Sequence, residues 1–225
     1  MLALKLGLSL VSNRKLGSWS PTDEASLEAW YKNGVGITLN GSDVSQWADS
    51  SSNSRNMVQA TATEQPSYSG GTLTFVSADS NSLQTTSQMS LTGDFTLGLR
   101  MNTSTTNGAF IGDNTSANEY FKYSASNKIS FKIGGSVTTH VFKDSGSFGD
   151  NSIVITRASN VITLYVDGVA QTTNTPTLAG TFLVDVLGIR RTDLNGYDGT
   201  MKEVQIYSSS NATLITNVSN RLATL

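Results

Sequence analysis

The chain has 225 residues, enough to bury one sizeable core, and all-β sandwiches of roughly this length commonly form a single domain. Only 14% of the residues are charged and 8% aromatic, while Ser, Thr, Asn and Gly recur throughout, which suits a β-rich surface protein better than a helical bundle built on Glu, Lys, Arg and Leu. A formal net charge of -2, with fifteen Lys and Arg scattered along the chain, argues against nucleic-acid binding, and the absence of cysteine excludes a disulfide framework and any thiolate metal site.

The chain opens on a strict alternation. Leu2, Leu4, Leu6, Leu8 and Leu10 fall on one side, with Ala3, Lys5, Gly7 and Ser9 on the other, the period of a strand with one apolar face. Lys5 interrupts the apolar stretch and no clear small-residue cleavage site follows, so the segment reads as an arm and not as an export signal. No run approaches the roughly 18 apolar residues of a membrane span. Five leucines left in water would cost roughly 1.5 to 3 kcal/mol each, so they need a surface. Either they form the first strand of the sandwich, or they dock on a neighbouring subunit as an added strand or in an apolar groove. A polar stretch from Ser12 to Ser20 separates this arm, residues 1–22, from the body, residues 23–225.

Ser20-Pro21-Thr22-Asp23 carries a helix-start pattern of N-cap, proline and carboxylate, for a short helix. After Trp30 and Tyr31, brief alternating or β-branched runs predict strands at 44–47, 72–76, 95–101, 109–112, 119–123, 128–133, 137–142, 153–157, 161–166, 182–189 and 202–207. Many short strands with regular turn signals mean a sandwich or barrel. The runs 153–157 and 161–166 form a hairpin across Arg157-Ala158-Ser159-Asn160, and Asp167-Gly168 marks the next tight turn. Only the end departs from this pattern: Ile215, Val218, Leu222 and Leu225 recur at helical spacing without glycine or proline, predicting a short C-terminal helix.

Three stretches together resemble a known family. Residues 152–169, Ser-Ile-Val-Ile-Thr-Arg-Ala-Ser-Asn-Val-Ile-Thr-Leu-Tyr-Val-Asp-Gly-Val, are similar to the hairpin of laminin-G-like, concanavalin A-like jelly rolls, in which one strand ends in Thr-Arg and its partner reads Leu-Tyr-Val-Asp-Gly. Residues 195–207, Asn-Gly-Tyr-Asp-Gly-Thr-Met-Lys-Glu-Val-Gln-Ile-Tyr, resemble the closing strand of the same family. In the front half, Val-Ser-Gln-Trp-Ala-Asp-Ser-Ser-Ser-Asn at 44–53 followed by Gln-Ala-Thr-Ala-Thr-Glu-Gln-Pro at 59–66 resembles a variant common in bacteriophage virion proteins. The resemblance implies an all-β, antiparallel two-sheet jelly-roll sandwich of concanavalin A type. It leaves the activity open, because this architecture hosts lectins, glycosidases, adhesion modules and capsid proteins.

Glycoside hydrolysis needs two carboxylates across a scissile bond, and the glucanase branch places them as Glu-x-Asp-x-Glu on one strand. None of the five glutamates, Glu24, Glu28, Glu64, Glu119 and Glu203, has an acidic neighbour two residues away on the same strand, and Glu203 sits where the family carries a structural glutamate. His140 is the lone histidine, in the alternating run Val137-Thr-Thr-His-Val-Phe142, and reads as a surface or pocket-lining strand residue. Calcium would need six to eight oxygens. Asp49 and Asp113 are the candidates, and both also read as turn residues, so no metal and no cofactor are expected. A sugar would need an exposed aromatic platform. Trp30 and Trp47 occupy core-like positions, leaving Trp19 as the exposed tryptophan.

The expectation is therefore a non-enzymatic bacteriophage structural protein. It would be made in the host cytoplasm and displayed on the virion as a capsid decoration protein, in many copies or as a homo-oligomer. Its partners would be a major capsid protein or tail proteins, reached partly through the Leu2 to Leu10 arm, with a host-surface glycan as a further ligand and neither nucleic acid nor membrane involved. The alternatives are a tail or fibre adhesin for host glycans and a polysaccharide depolymerase.

Overall fold

The computed structural model describes residues 19–103, 108–191 and 196–225. The five arm leucines lie outside the described residues. A 3-10 turn at Pro21–Asp23 opens the ordered body, with Ser20 and Asp23 closing a reciprocal capping box. This is the local structure foreseen from the proline and its flanking polar residues. Trp19 already packs on the body, donating from Nε1 to Glu24 Oε1 at 2.9 Å.

The first strands are β1 (Leu27–Tyr31), β2 (Ile37–Asn40), β3 (Asp43–Trp47), β4 (Met57–Val58), β5 (Ser67–Ser69) and β6 (Thr72–Phe75). The middle of the chain supplies β7 (Leu83–Leu91), β8 (Phe95–Thr103), β9 (Ala109–Gly112), β10 (Tyr120–Ala125), β11 (Lys128–Lys132) and β12 (Thr139–Phe142). Then follow β13 (Asn151–Ala158), β14 (Val161–Val166), β15 (Val169–Ala170), β16 (Phe182–Leu187), β17 (Gly199–Tyr207) and the helix α1 (Ala212–Leu222). All the strand pairings are antiparallel.

Two layers result. In one sheet β17 and β8 are central, with β1 and β6 along the outer edge of β17 and β13, β14 and β15 following β8. The other runs β7-β16-β9-β10-β11-β12, and β3 and β4 link it to β2 and β5. Inward residues of both sheets form one core: Phe95, Leu97 and Leu99 of β8, Val204 and Ile206 of β17, Phe121 and Phe131 of the opposite sheet. Phe121 and Phe131 stack at 4.9 Å and Phe182 meets Phe121 edge-on at 5.0 Å. The family-like hairpin forms as expected, β13 and β14 pairing from Ile153↔Val166 to Ala158↔Val161. Ser159 and Asn160 hold positive φ at the turn, which fits the twist of a two-residue hairpin loop.

The helix covers only one of the two sheets. Leu214, Val218 and Leu222 press on Leu27, Trp30, Val154 and Tyr207, forming a second core on the outer face of the β17-β8-β13 layer. The predicted periodicity captures Val218 and Leu222, but Leu214 and not Ile215 turns inward. Asn211 caps the helix, accepting from the Leu214 amide at 2.9 Å. Backbone and helix approach most closely at Gly98, where a Cβ would collide with Val218 Cγ1.

The nine-residue strand β7 has no counterpart among the predicted runs. Leu83, Thr85, Met89 and Leu91 are buried while Thr86, Ser87 and Gln88 in its middle are all exposed, so the alternation is broken and no period-two signal survives. β1, β2, β4, β5 and β15 are likewise additional, and four of these have five residues or fewer at a sheet margin.

Substituting Gly98→Ala is expected to destabilise the protein by about 1 to 3 kcal/mol through overpacking, read as a lower urea midpoint. Adding Val218→Ala should recover part of that loss, since it removes the colliding methyl group.

Candidate functional site

Each carboxylate weighed for chemistry has a structural engagement. Glu203 is fully buried beneath α1. It accepts from Trp30 Nε1 at 2.9 Å, Gln205 Nε2 at 2.7 Å, and Arg221 Nε and Nη2 at 2.5 and 2.7 Å. The Asn33 amide adds a fifth donor at 3.2 Å. Arg221 also lies over the Trp30 ring, 4.9 Å from its centroid. These donors tie β17, β1 and α1 into one joint, the structural glutamate that the family resemblance implies.

Asp49 accepts from the amides of Trp30, Ser51 and Arg55 and from Ser51 Oγ, at 2.7 to 3.0 Å. Asp113 accepts from the Thr115 amide and hydroxyl at 2.7 and 2.8 Å, closing the turn after β9. Both are turn residues, and among the described residues no group of three His, Asp or Glu side chains is arranged to hold a metal ion. Glu119 and Asp185 are each 5% exposed, and burial pushes both carboxyls above the ordinary range, with Asp113 adding like charge. They too serve the backbone: Glu119 accepts from the Gly135 amide and Asp185 from that of Asn114.

The tryptophans offer no open platform. Trp47 is fully buried and Trp30 nearly so, as expected, while Trp19 is half-buried against the second core.

His140 lies on β12, pointing away from the core, and its Nδ1 shares a 2.7 Å hydrogen bond with Ser130 Oγ. Ser130 Oγ in turn bonds Ser124 Oγ. No described carboxylate bonds the imidazole, so the third member of a nucleophilic triad is missing among the described residues.

The cross-strand register places other side chains around this pair. On the outward face of β10, β11 and β12, Lys122, Ser130 and His140 form one row. Tyr120 and Lys132 form the row on one side, and Lys128 and Phe142 the row on the other. Arg190 completes the group with its guanidinium 4.2 Å from the Tyr120 ring centroid. Cations scattered in sequence thus converge on one sheet face. The readable signal was Lys128 and Lys132 sharing a parity with Lys122 on the neighbouring strand, which the count of basic residues conceals. The imidazole pKa is lowered by burial first and then by the charges of Lys128 and Lys122. Lys122 is itself lowered by burial, Arg190 and Lys128.

Glu203→Gln should cost roughly 3 kcal/mol, because it leaves the Arg221 guanidinium facing a neutral amide in a largely buried joint. Chemical denaturation measures this. For His140, a folded pKa below the unfolded one means stability is full above the ordinary histidine range and falls as acid protonates the folded ring. Lys128→Gln should raise the imidazole pKa towards its ordinary value in an NMR titration, and an unmoved pKa would show that the two charges are uncoupled.

A family model described as the concanavalin A-like lectin/glucanases superfamily matches residues 77–211, more than half of the chain. Among solved structures, Trypanosoma rangeli sialidase is similar over 88% of this chain and 33% of its own, with a TM-score of 0.59 and 14% identity. The chain thus spans about a third of the length of that sialidase. Domain 4 of AbnA, a GH43 extracellular arabinanase from Geobacillus stearothermophilus solved with arabinotriose, is similar over 87% of this chain and 99% of its own, with a TM-score of 0.53 and 15% identity. At these identities the likeness is one of fold. No curated protein matches. With its two-layer antiparallel sandwich, its Thr156-Arg157 hairpin and its buried Glu203, the chain belongs to the concanavalin A-like lectin/glucanases superfamily.

Proposed function

We propose that the chain is a structural protein of a bacteriophage virion, a non-catalytic lectin-like module displayed on the particle as a capsid decoration protein. The observation that carries this reading is the two-sidedness of the sandwich. The described chain begins at Trp19, on the face that α1 covers, so residues 1–18 join the body on that side. The outward face of β10-β11-β12 belongs to the opposite sheet. An anchor on one side and a free sheet on the other is the geometry a display module needs. The resemblance of residues 44–53 and 59–66 to a variant common in phage virion proteins supports the same reading, and the apolar face of Leu2, Leu4, Leu6, Leu8 and Leu10 supplies the docking surface.

Absence of catalysis is part of the proposal, supported by the structural engagement of Glu203, Asp49, Asp113, Glu119 and Asp185. A tail or fibre adhesin is the second reading, favoured by the cationic, aromatic-bearing face of β10-β11-β12.

Copy number on purified particles separates these: about one chain per capsomer fits decoration, and a handful per particle fits the tail. Deleting residues 1–12 should leave a folded protein that fails to occupy particles, read by gel densitometry of reconstituted virions. Undiminished occupancy would remove the arm from the anchor. Release of reducing sugar abolished by a single carboxylate substitution would overturn the non-catalytic reading.

A further inference from the structure

We propose that the outward face of β10, β11 and β12 is a binding site for an acidic glycan, one carrying carboxylate or sulfate groups, held by Lys128, Lys132 and Arg190 around His140 and Ser130. This deepens the display reading, in which that sheet faces away from the anchor.

Cations gathered on a sheet face repel one another, and the usual remedy is a carboxylate among them. Here none is supplied: the described ion pairs join Arg55 to Glu28, Arg100 to Asp150 and Asp167, Lys202 to Asp150 and Arg221 to Glu203, and none includes Lys128, Lys132 or Arg190. Asp144, just beyond β12, does not serve. Its carboxylate is held down to about 2 by the Thr173 hydroxyl and the Thr172 and Thr173 amides, so its charge is spent on its own loop. Glu119, next to Tyr120, is buried and turned to the Gly135 amide. Arg190 donates to the Ala117 carbonyl at 3.1 Å from one Nη, while its Nε is buried without a partner. The site therefore concentrates positive charge on a protein whose net charge is -2, and an external anion is the missing partner.

The spacing and the neighbours choose the kind of anion. Lys128 and Lys132 are four residues apart on β11, about 13 Å at roughly 3.3 Å per residue, too far for one small anion to bridge and suited to charges repeated along an oligosaccharide. Between them lie hydroxyl and imidazole groups, Ser130 and His140, which can exchange hydrogen bonds with sugar hydroxyls. Phe142, half-buried beside Lys128, gives an apolar margin. A nucleic acid draws its affinity from neutralising many phosphates, some 6–10 in well-studied cases, and this face has only a few cations on an acidic protein.

The test is calorimetric titration of the purified full chain at low salt with four probes: an oligogalacturonate, a sulfated dextran, neutral dextran and a duplex DNA oligonucleotide. Binding to the first two and not to neutral dextran is expected, and their order tells carboxylate from sulfate. Lys128→Ala and Lys132→Ala should each weaken that binding about tenfold, the loss of one charge-assisted contact. Lys202→Ala, on the other sheet beside Asp150, should leave it unchanged. Equal binding of neutral dextran, insensitivity to Lys128→Ala and Lys132→Ala in correctly melting variants, or tighter binding of the DNA would each overturn the proposal. The probes act on isolated protein, so absence from virions would sink the display reading and leave this one standing, and the reverse also holds.

Discussion

The sandwich depends on a single buried guanidinium. Arg157, at the end of β13, has no exposed surface, and its side chain reaches across the layer boundary. Nε donates to the Gly93 carbonyl at 2.7 Å, Nη1 to Gly180 at 2.6 Å and Nη2 to Leu91 at 2.9 Å, with a further bond from Nη2 to Gly93. Its plane lies 4.9 Å from the Phe95 ring centroid. A bare charge in this position would be very costly. Three carbonyls and an aromatic face replace its water, so the strand β13, the β7–β8 turn and the approach to β16 are pinned at one rim. A planar fork with five fixed donors can do this, and a lysine could not.

Glu203 works as its counterpart at the far side of the same sheet. Arg157 binds the two sheets together, whereas Glu203 binds the helix and β1 to the outer surface of β17. One is a cation satisfied by dipoles and the other an anion satisfied by donors, one of them charged. Between them they account for the two motifs through which the chain resembles its superfamily, Thr-Arg in the hairpin and Glu in the closing strand. The motifs mark joints, and no chemistry on a ligand follows from them.

How much of this could be read in the sequence varied with how local the information was. The hairpin β13–β14, the strand β9 and the helix at the end were legible because alternation, turn residues and helical spacing all lie within a dozen residues. The strand β7 was not, since its middle carries Thr, Ser and Gln on both faces and only its partners β16 and β4 hold it in the sheet. The turn roles of Asp49 and Asp113 were legible from their neighbours, Asp-Ser and Asp-Asn. The cationic face was hidden for another reason. Lys122, Lys128, Lys132 and Arg190 are separated by up to 68 positions, and only strand register and the return of the chain after β16 bring them together. Trp19, read as exposed, turns out to be claimed by the helix, a contact about 200 residues away in sequence.

Trp19 and Leu225 pack on the same second core. Both ends of the ordered body therefore leave from the helix-covered side, like two wires from the back of a panel. Whatever is joined to either end, in an assembly or by a laboratory fusion, hangs behind the sandwich. In a regular array of such modules the outer skin would be the β10-β11-β12 sheet repeated copy after copy, so that a weak single contact would be multiplied by the spacing of the lattice beneath it.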